Sequence, residues 1–226
     1  MPNVDHSREL REQIQLRLNK FNRTGSASDQ LTPAAVVVGV SVIDDSSSAC
    51  ILLTQRSNKL RKHAGQFALP GGKVDKDESI VEAALRELQE ELGLQQSENS
   101  VLALLDDMPT HSGFNITPVV VWIDDLNSLK ANPDEVTAVY QVPLAELASI
   151  DLNLSHEREE SDILPGQNVE NNTAATEHDV MSLYLPSVGT TIYSPTAAIM
   201  YQFREVALLG RTTRVAHFGQ PRFAWR

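Results

Sequence analysis

Three glutamates, Glu87, Glu90 and Glu91, are spaced so that they can act together on one ligand. Residues three and four apart lie one turn above each other on an α-helix, so the three carboxylates would share a sector of about 100°. Because like charges at this spacing repel, we expect a cation to compensate them, and Mg²⁺ or Mn²⁺ prefers such oxygen ligands. The spacing therefore predicts a divalent-metal site, although a solvated acidic face on a surface helix has the same pattern.

The helix that would carry these glutamates has start and stop signals in the sequence. Asp77 or Ser79 can cap its N-terminus. Glu82 can complete a capping box with Ser79, and Gly93 can end the helix. Its apolar face is expected to pack on a β-sheet. That face consists of Val81, Ala84, Leu85, Leu88 and Leu92.

A two-glycine turn and one arginine lie beside the expected carboxylate cluster. Gly71 and Gly72 follow a proline, and adjacent glycines let a backbone approach a metal ion or a phosphate closely. A Pro-Gly-Gly sequence alone predicts no more than a turn. Arg86 lies at the edge of the cluster, where it can pair with Glu90 or Glu82 and orient the ligands.

The whole segment resembles the Nudix box: a glycine, five residues, Glu, seven residues, Arg-Glu, an aliphatic, any residue, Glu-Glu, any residue, glycine and an aliphatic. The resemblance implies an α/β/α sandwich around a mixed β-sheet, and attack by water on a diphosphate linked to another moiety. The defined positions are filled by Gly72, Glu78, Arg86, Glu87, Leu88, Glu90, Glu91, Gly93 and Leu94.

The same resemblance implies roles for individual residues. Glu78 and Arg86 match supporting positions, and the general base varies within the family. Glu135, which follows Pro133 in a loop, is a candidate base beside Glu87, although a turn residue would have the same context. The expected catalytic residues are Glu87, Glu90, Glu135 and Arg86, and the expected metal ligands are Glu87, Glu90, Glu91 and the backbone near Gly71 or Gly72.

A second stretch resembles the coenzyme A diphosphatase branch of this family. That signature is Leu-Leu-Thr, any residue, Arg-Ser, three residues, Arg, three residues, Gly, then Phe-Pro-Gly-Gly, and Leu69 replaces its phenylalanine. The matching residues are Leu52, Leu53, Thr54, Arg56, Ser57, Arg61, Gly65, Pro70, Gly71 and Gly72.

Basic residues in this stretch suit the extra phosphate of coenzyme A, although a solvated loop explains them equally well. The resemblance implies cleavage of coenzyme A or a derivative to adenosine 3′,5′-bisphosphate and phosphopantetheine. Cleavage of ADP-ribose or a reduced dinucleotide is a second hypothesis, and a module that senses nucleotides without cutting them is a third. The expected substrate contacts are Arg56, Arg61, Lys62, Gly72 and Glu78.

The remaining sequence predicts the elements around this site. Residues 1–30 have the pattern of an amphipathic helix and a linker, and residues 31–226 that of an α/β domain. Within that domain we expect a polar loop insertion at 155–180 and a C-terminal helical extension at 186–226. Strands are expected at 34–43, 50–54, 101–105, 117–123 and 137–142.

Composition narrows the class of protein. A net charge of −11 over 226 residues argues against a protein that mainly holds the nucleic-acid backbone. No apolar stretch approaches the length of a membrane-spanning helix, and the single cysteine, Cys50, favours a reducing compartment. We therefore expect a soluble, cytoplasmic protein, and the family resemblance implies that it is an enzyme with a small nucleotide substrate. The aromatic residues Phe218, Phe223 and Trp225 suit either adenine stacking or packing in a homodimer.

Overall fold

The computed structural model describes residues 4–25, 30–44, 46–60, 63–150, 153–157 and 178–221. Among these residues, eight strands form a mixed β-sheet that is covered by helices, which confirms the predicted fold class. The strands are β1 (Thr32–Val42), β2 (Ala49–Arg56), β3 (Phe67–Ala68), β4 (Gly71–Lys73), β5 (Val101–Leu104), β6 (Met108–Pro109), β7 (Phe114–Trp122) and β8 (Val136–Pro143). The helices are α1 (Arg8–Lys20), α2 (Ile80–Leu92), α3 (Leu144–Ser149) and α4 (Thr196–Phe203).

The central strand β1 is buried on both of its faces. It pairs in parallel with β7 and antiparallel with β2 and β4. Successive side chains of a strand point to opposite faces, so Ala35 and Val37 pack toward α2, whereas Val38 and Val40 join the core on the other face. The run of valines between residues 36 and 40 therefore supplies two hydrophobic cores at once.

Helix α2 has the predicted ends but not quite the predicted face. Ser79 Oγ accepts the Glu82 amide at 3.2 Å while Glu82 Oε2 accepts the Ser79 amide at 2.8 Å, which confirms the capping box. Gly93 ends the helix in the left-handed conformation at φ 70°. The prediction that Val81 belongs to the buried face was wrong, because the face that meets the sheet is centred nearer Ala83, Ala84 and Leu88.

The opposite face of the sheet is covered by α1 and by the C-terminal part of the chain. Leu10, Ile14 and Leu18 of α1 are buried in the same core as Phe203 of α4. Ser7 caps α1, which is the amphipathic helix predicted within residues 1–30. Helix α4 continues into a single π-helical turn, Arg204–Leu208.

Two predictions about the C-terminal half need correction. A second, antiparallel sheet consists of β9 (Asn153–Glu157), β10 (His178–Leu185) and β11 (Thr190–Tyr193). Residues 155–157 and 178–180, predicted as loop, are strand because they pair with each other across β9 and β10; residues 158–177 lie outside the described residues. The extension at 186–226 is helical only in part, because β11 pairs with β10 before α4 begins.

Two buried aspartates that follow β5, Asp106 and Asp107, form ion pairs with arginines from distant parts of the chain. Asp107 forms an ion pair with Arg23, and Asp106 forms one with Arg214. Gln202 Nε2 of α4 also donates to Asp106 Oδ2 at 2.8 Å. Because a buried carboxylate needs such partners, these contacts hold α4 against the loop that follows β5. Within the described ranges no helix is long and apolar enough to cross a bilayer.

Candidate active site

The two-glycine turn lies where β4 pairs with β1, directly beside α2. Gly71 is opposite Val36 and Gly72 is opposite Ala35. Gly71 has φ 156°, and a β-carbon on it would lie 2.6 Å from the Val36 Cα atom. A β-carbon on Gly72 would lie 2.6 Å from Glu87 Cδ. Neither position accepts a side chain without movement, so the backbone of β4 lies in contact with the Glu87 carboxylate.

Arg86 is the centre of a hydrogen-bonded group of carboxylates. Its Nε donates to Glu78 Oε1 at 2.9 Å, and its Nη1 donates to Glu87 Oε1 at 2.9 Å and to Glu90 Oε2 at 3.0 Å. The hydrogen bond from Arg86 lowers the pKa of Glu78, and the Glu78 carboxylate in turn raises the pKa of Arg86. Of the two predicted partners of Arg86, Glu90 is confirmed, whereas Glu82 is wrong because its carboxylate is used in the capping box.

Arg86 also links this group to β4. Its Nη2 donates to the Lys73 carbonyl at 3.1 Å. The Glu78 Oε2 atom accepts the Asp75 amide at 3.0 Å, which fixes the residues between β4 and α2. The guanidinium therefore holds strand and helix together at the point where the carboxylates gather.

The three spaced glutamates do not share one environment. The exposed fraction of the side chain is 54% for Glu90, 14% for Glu87 and 4% for Glu91. Burial, together with the charges of Glu87 and Glu135, raises the pKa of Glu91 to about 8, and Arg56 opposes the shift from 3.8 Å. Burial also raises the pKa of Glu87, against the effect of Arg86. The alternative of a solvated acidic face therefore does not describe Glu91.

These donors suit a divalent cation in chemistry and charge. They are hard carboxylate oxygens next to the backbone of Gly71. Burial is the main cause of the raised pKa values of Glu87 and Glu91, and a bound cation would stabilise the charged form that burial disfavours. As they stand, no three carboxylate, imidazole or thiol side chains of the described part are arranged to hold an ion. An ion would have to compete with Arg86 for Glu87 and Glu90.

The loop that carries Glu135 is tied to the same place. The Asn132 amide donates to the Glu91 carbonyl at 2.8 Å, and the Ser57 amide donates to the Glu135 carbonyl at 2.8 Å. The Asn132 Nδ2 atom donates to Glu135 Oε1 at 3.3 Å. Glu135 acts electrostatically on both Glu87 and Glu91, so the loop brings a further carboxylate to the cluster. Its role as a base stays a prediction.

A cavity of about 350 Å³ adjoins the two-glycine turn. Gly71, Gly72, Arg56, His63 and Lys73 belong to its lining. The chain has 30 acidic residues, yet none of those the structure describes lines this cavity. Its charged surface is therefore positive, in contrast to the carboxylate cluster on the other side of Gly72.

The cavity also has walls that the sequence did not predict. Pro195, Thr196, Ile199 and Gln220 line it from the C-terminal part of the chain. No local pattern relates these residues to Gly72, which lies more than a hundred positions earlier. Arg61 and Lys62, the predicted phosphate contacts, lie outside the described residues. Arg56 lines the cavity, and its contact with a substrate stays a prediction.

Comparison with known proteins assigns the family. The family model of the NUDIX domain matches residues 33–166, which is more than half of the chain. The chain belongs to the Nudix family. The predicted box residues that fall within this match form β4, α2 and the intervening turn, so the Nudix box is the site described above.

Individual Nudix proteins resemble this chain over shorter stretches. The Nudix hydrolases NudL of Yersinia enterocolitica and Pectobacterium atrosepticum are 45% and 48% identical over 97 residues, which cover 42% of this chain and 50% of each relative. The chain thus spans about half the length of the curated relatives it matches. A solved MutT/nudix family protein from Enterococcus faecalis aligns with TM-score 0.45 and 19% identity, over 76% of this chain and 54% of that one.

The Nudix match ends before the C-terminal walls of the cavity. Residues 33–166 contain Arg56, the box and the Glu135 loop, but not β10, β11 or α4. The Nudix portion therefore supplies the carboxylates and cations, and the C-terminal part closes the cavity next to them.

Replacing Glu91 with glutamine is expected to stabilise the metal-free protein at alkaline pH. Because the folded-state pKa of about 8 lies above the ordinary value of 4.5, the folded protein holds this proton more tightly than the unfolded chain. That stabilisation is fully present below the unfolded pKa and is lost as pH rises through the folded one. In EDTA near pH 8.5 we expect Glu91→Gln to gain ~2 kcal/mol, or a Tm higher by ~4–8 °C.

The measurement is thermal unfolding of both proteins in EDTA near pH 5 and near pH 8.5. Glu98→Gln, on the exposed turn Glu98–Ser100, is the control and should leave the Tm unchanged at both values. If Glu91→Gln and the unaltered protein differ in Tm by the same amount at both pH values, that result would contradict the raised pKa of Glu91 as the cause of the difference.

Proposed function

We propose that this protein is a divalent-metal-dependent diphosphatase that cleaves coenzyme A or a derivative to adenosine 3′,5′-bisphosphate and (acyl)phosphopantetheine. One observation carries the proposal. A carboxylate cluster with raised pKa values meets, across Gly72, a cavity whose charged lining is cationic. A diphosphate at this boundary would face the metal-binding carboxylates on one side and cations on the other, as its charge requires.

The residues around the boundary have distinct parts in the proposed reaction. Arg86 holds Glu87 and Glu90 in place, and Glu78 holds Arg86. The glycine backbone lets the diphosphate approach closely, because no side chain projects from β4 at that point. When bound by Glu87, Glu90 and Glu91, Mg²⁺ or Mn²⁺ would neutralise the diphosphate and lower the pKa of the attacking water.

Glu87 and Glu135 are the two alternative candidates for the general base that accepts the proton of that water. Glu87 is half-buried and its pKa is raised by burial, which brings it nearer to the operating pH of a general base. Glu135 is held by Asn132 close enough to influence the pKa of Glu87. Separate pH–rate profiles of Glu87→Gln and Glu135→Gln would assign the role, because loss of the base removes the acidic limb of kcat.

The substrate proposal is supported by the signature between Leu52 and Gly72 and by the cations it contains. Arg56 lines the cavity, and Arg61 and Lys62 stay predictions as contacts of the 3′-phosphate. The alternative enzymatic activity is cleavage of ADP-ribose or a reduced dinucleotide. Neither of these substrates carries the 3′-phosphate. A nucleotide sensor would bind without cleavage. A cytoplasmic location, a homodimer and the domain limits at 1–30 and 31–226 also stay predictions.

A substrate panel tests the proposal directly. The protein is incubated with Mg²⁺ or Mn²⁺ and, separately, coenzyme A, dephospho-coenzyme A, ADP-ribose or NADH, in water enriched in oxygen-18, and the products are weighed by mass spectrometry. We expect the highest kcat/KM for coenzyme A or an acyl form, with one heavy oxygen in a phosphate product. A higher kcat/KM for ADP-ribose or NADH would contradict coenzyme A as the substrate. Binding of these compounds without cleavage would favour the nucleotide-sensing alternative.

A further inference from the structure

The cavity beside Gly72 is closed by a wall from the C-terminal part of the chain. Helix α4 begins directly over β3, where Thr196 Oγ1 donates to the Phe67 carbonyl at 3.3 Å. Pro195, Ile199 and Phe67 also line the cavity. All of the C-terminal lining residues lie beyond the Nudix match at 33–166, so the matched residues do not supply this wall.

The polar groups of this wall already have partners inside the protein. Gln220 Nε2 donates to the Pro109 carbonyl at 2.9 Å, and Gln220 Oε1 accepts the His111 amide at 3.3 Å. The Thr196 hydroxyl donates its hydrogen bond to the Phe67 carbonyl. What the C-terminal wall offers a ligand is therefore mainly the apolar surface of Ile199 and Pro195. A charged group placed against it would lose water without gaining a partner.

The positive lining comes from a different part of the fold. Arg56 ends β2 and Lys73 ends β4, the strand that carries the two glycines. Lys73 Nζ lies 5.7 Å from the centre of the Phe114 ring, which also lines the cavity. An anionic group is thus favoured at the strands of the box, and an uncharged group is favoured at α4. A ligand that spans both needs an anion joined to an apolar arm.

We propose that the cavity binds the uncharged, mainly aliphatic arm attached to the diphosphate, and that Ile199 limits the length of that arm. The inference rests on the proposed function and adds to it the residue that selects among substrates. A volume of about 350 Å³ lies within the usual range for ligand sites. That volume lies near the lower end of the range, so the cavity suits one segment of a ligand rather than a whole dinucleotide.

Variants of Ile199 test the inference. Ile199→Trp fills the cavity, Ile199→Ala enlarges it, and Ile199→Val changes it least. Met200→Ala is the matched control, because Met200 is buried on the same helix but is not among the lining residues. Each variant is first checked for folding by circular dichroism and thermal unfolding, and Ile199→Val keeps the test available if a larger change prevents folding.

The readout is the preference for acyl-chain length. We measure kcat/KM for coenzyme A and for its acetyl, hexanoyl and decanoyl thioesters, and binding of decanoyl-phosphopantetheine by calorimetry in EDTA. Ile199→Trp is expected to lower kcat/KM for the longest thioester about tenfold or more relative to coenzyme A, and to weaken binding of the acyl probe in parallel. Ile199→Ala should shift the preference toward longer chains, and Met200→Ala should keep the original preference.

The outcomes separate the inference from the function on which it rests. If the unaltered protein cleaves none of these thioesters and no coenzyme A, the proposed function itself fails. If it cleaves them, but folded Ile199 variants keep its chain-length preference and its affinity for decanoyl-phosphopantetheine, the inference alone is overturned.

Discussion

Replacing Glu90 with glutamine is expected to lower kcat by about 100-fold or more while the fold stays intact. The amide keeps the size of the side chain but removes the negative charge, and a neutral oxygen is a far weaker ligand for Mg²⁺ or Mn²⁺. Glu90 is the most exposed of the three box glutamates, with 54% of its side chain accessible. Its ion pair with Arg86 is therefore expected to contribute no more than about 1 kcal/mol to stability.

Three measurements distinguish this loss from a general defect. Steady-state kinetics with each metal gives kcat and KM, calorimetry gives Mn²⁺ affinity in the presence of nucleotide, and urea unfolding gives the free energy of unfolding. Glu98→Gln makes the same chemical change at an exposed site outside the cluster and should behave like the unaltered protein. Full activity of Glu90→Gln would remove Glu90 from the proposed site.

Replacing Gly72 with alanine is expected to reduce activity by about 100-fold or more. The new β-carbon would lie 2.6 Å from Glu87 Cδ, so either the carboxylate or β4 must move. Glu87 is hydrogen-bonded to Arg86, which also binds Glu78 and the Lys73 carbonyl, so a shift of one group displaces the others. A displacement near 1 Å at a reacting centre costs on the order of 100-fold in rate.

The control for this experiment is Gly25→Ala. The nearest atom to a β-carbon there is Asp107 Oδ2 at 3.6 Å, which is an ordinary contact. Gly25→Ala should leave kcat and Tm near their original values. Gly72→Ala should lower kcat by about 100-fold or more while its Tm changes little. Full activity of Gly72→Ala would show that catalysis does not need the Glu87 carboxylate and β4 to keep their present positions.

Local signals explain why the box helix could be predicted in detail. The capping box of Ser79 and Glu82 and the left-handed Gly93 each involve residues within one helical turn, and both are present. The pairing of Arg86 with Glu90 follows from their spacing of four residues on the same helix. The spacing alone allowed both Glu90 and Glu82 as partners of Arg86, and the capping bond that Glu82 makes leaves Glu90 as the partner.

Contacts between distant segments explain the errors. Glu91 is buried because the chain around Asn132 and the side chain of Arg56 cover the end of α2, and neither is near Glu91 in sequence. Residues 155–157 and 178–180 were predicted as loop because each of these segments becomes strand only by pairing with the other. Periodicity within a single segment carries no information about such pairing.

By itself the sequence determined the kind of chemistry available: carboxylates and an arginine at fixed spacing on a helix that begins after two glycines. Those relations are local, so helix geometry alone places them. The tertiary structure decided which carboxylates are buried, how far their pKa values move and which walls enclose the space beside Gly72. Desolvation and cavity shape depend on segments that meet only after folding, as Ile199 and Gly72 do.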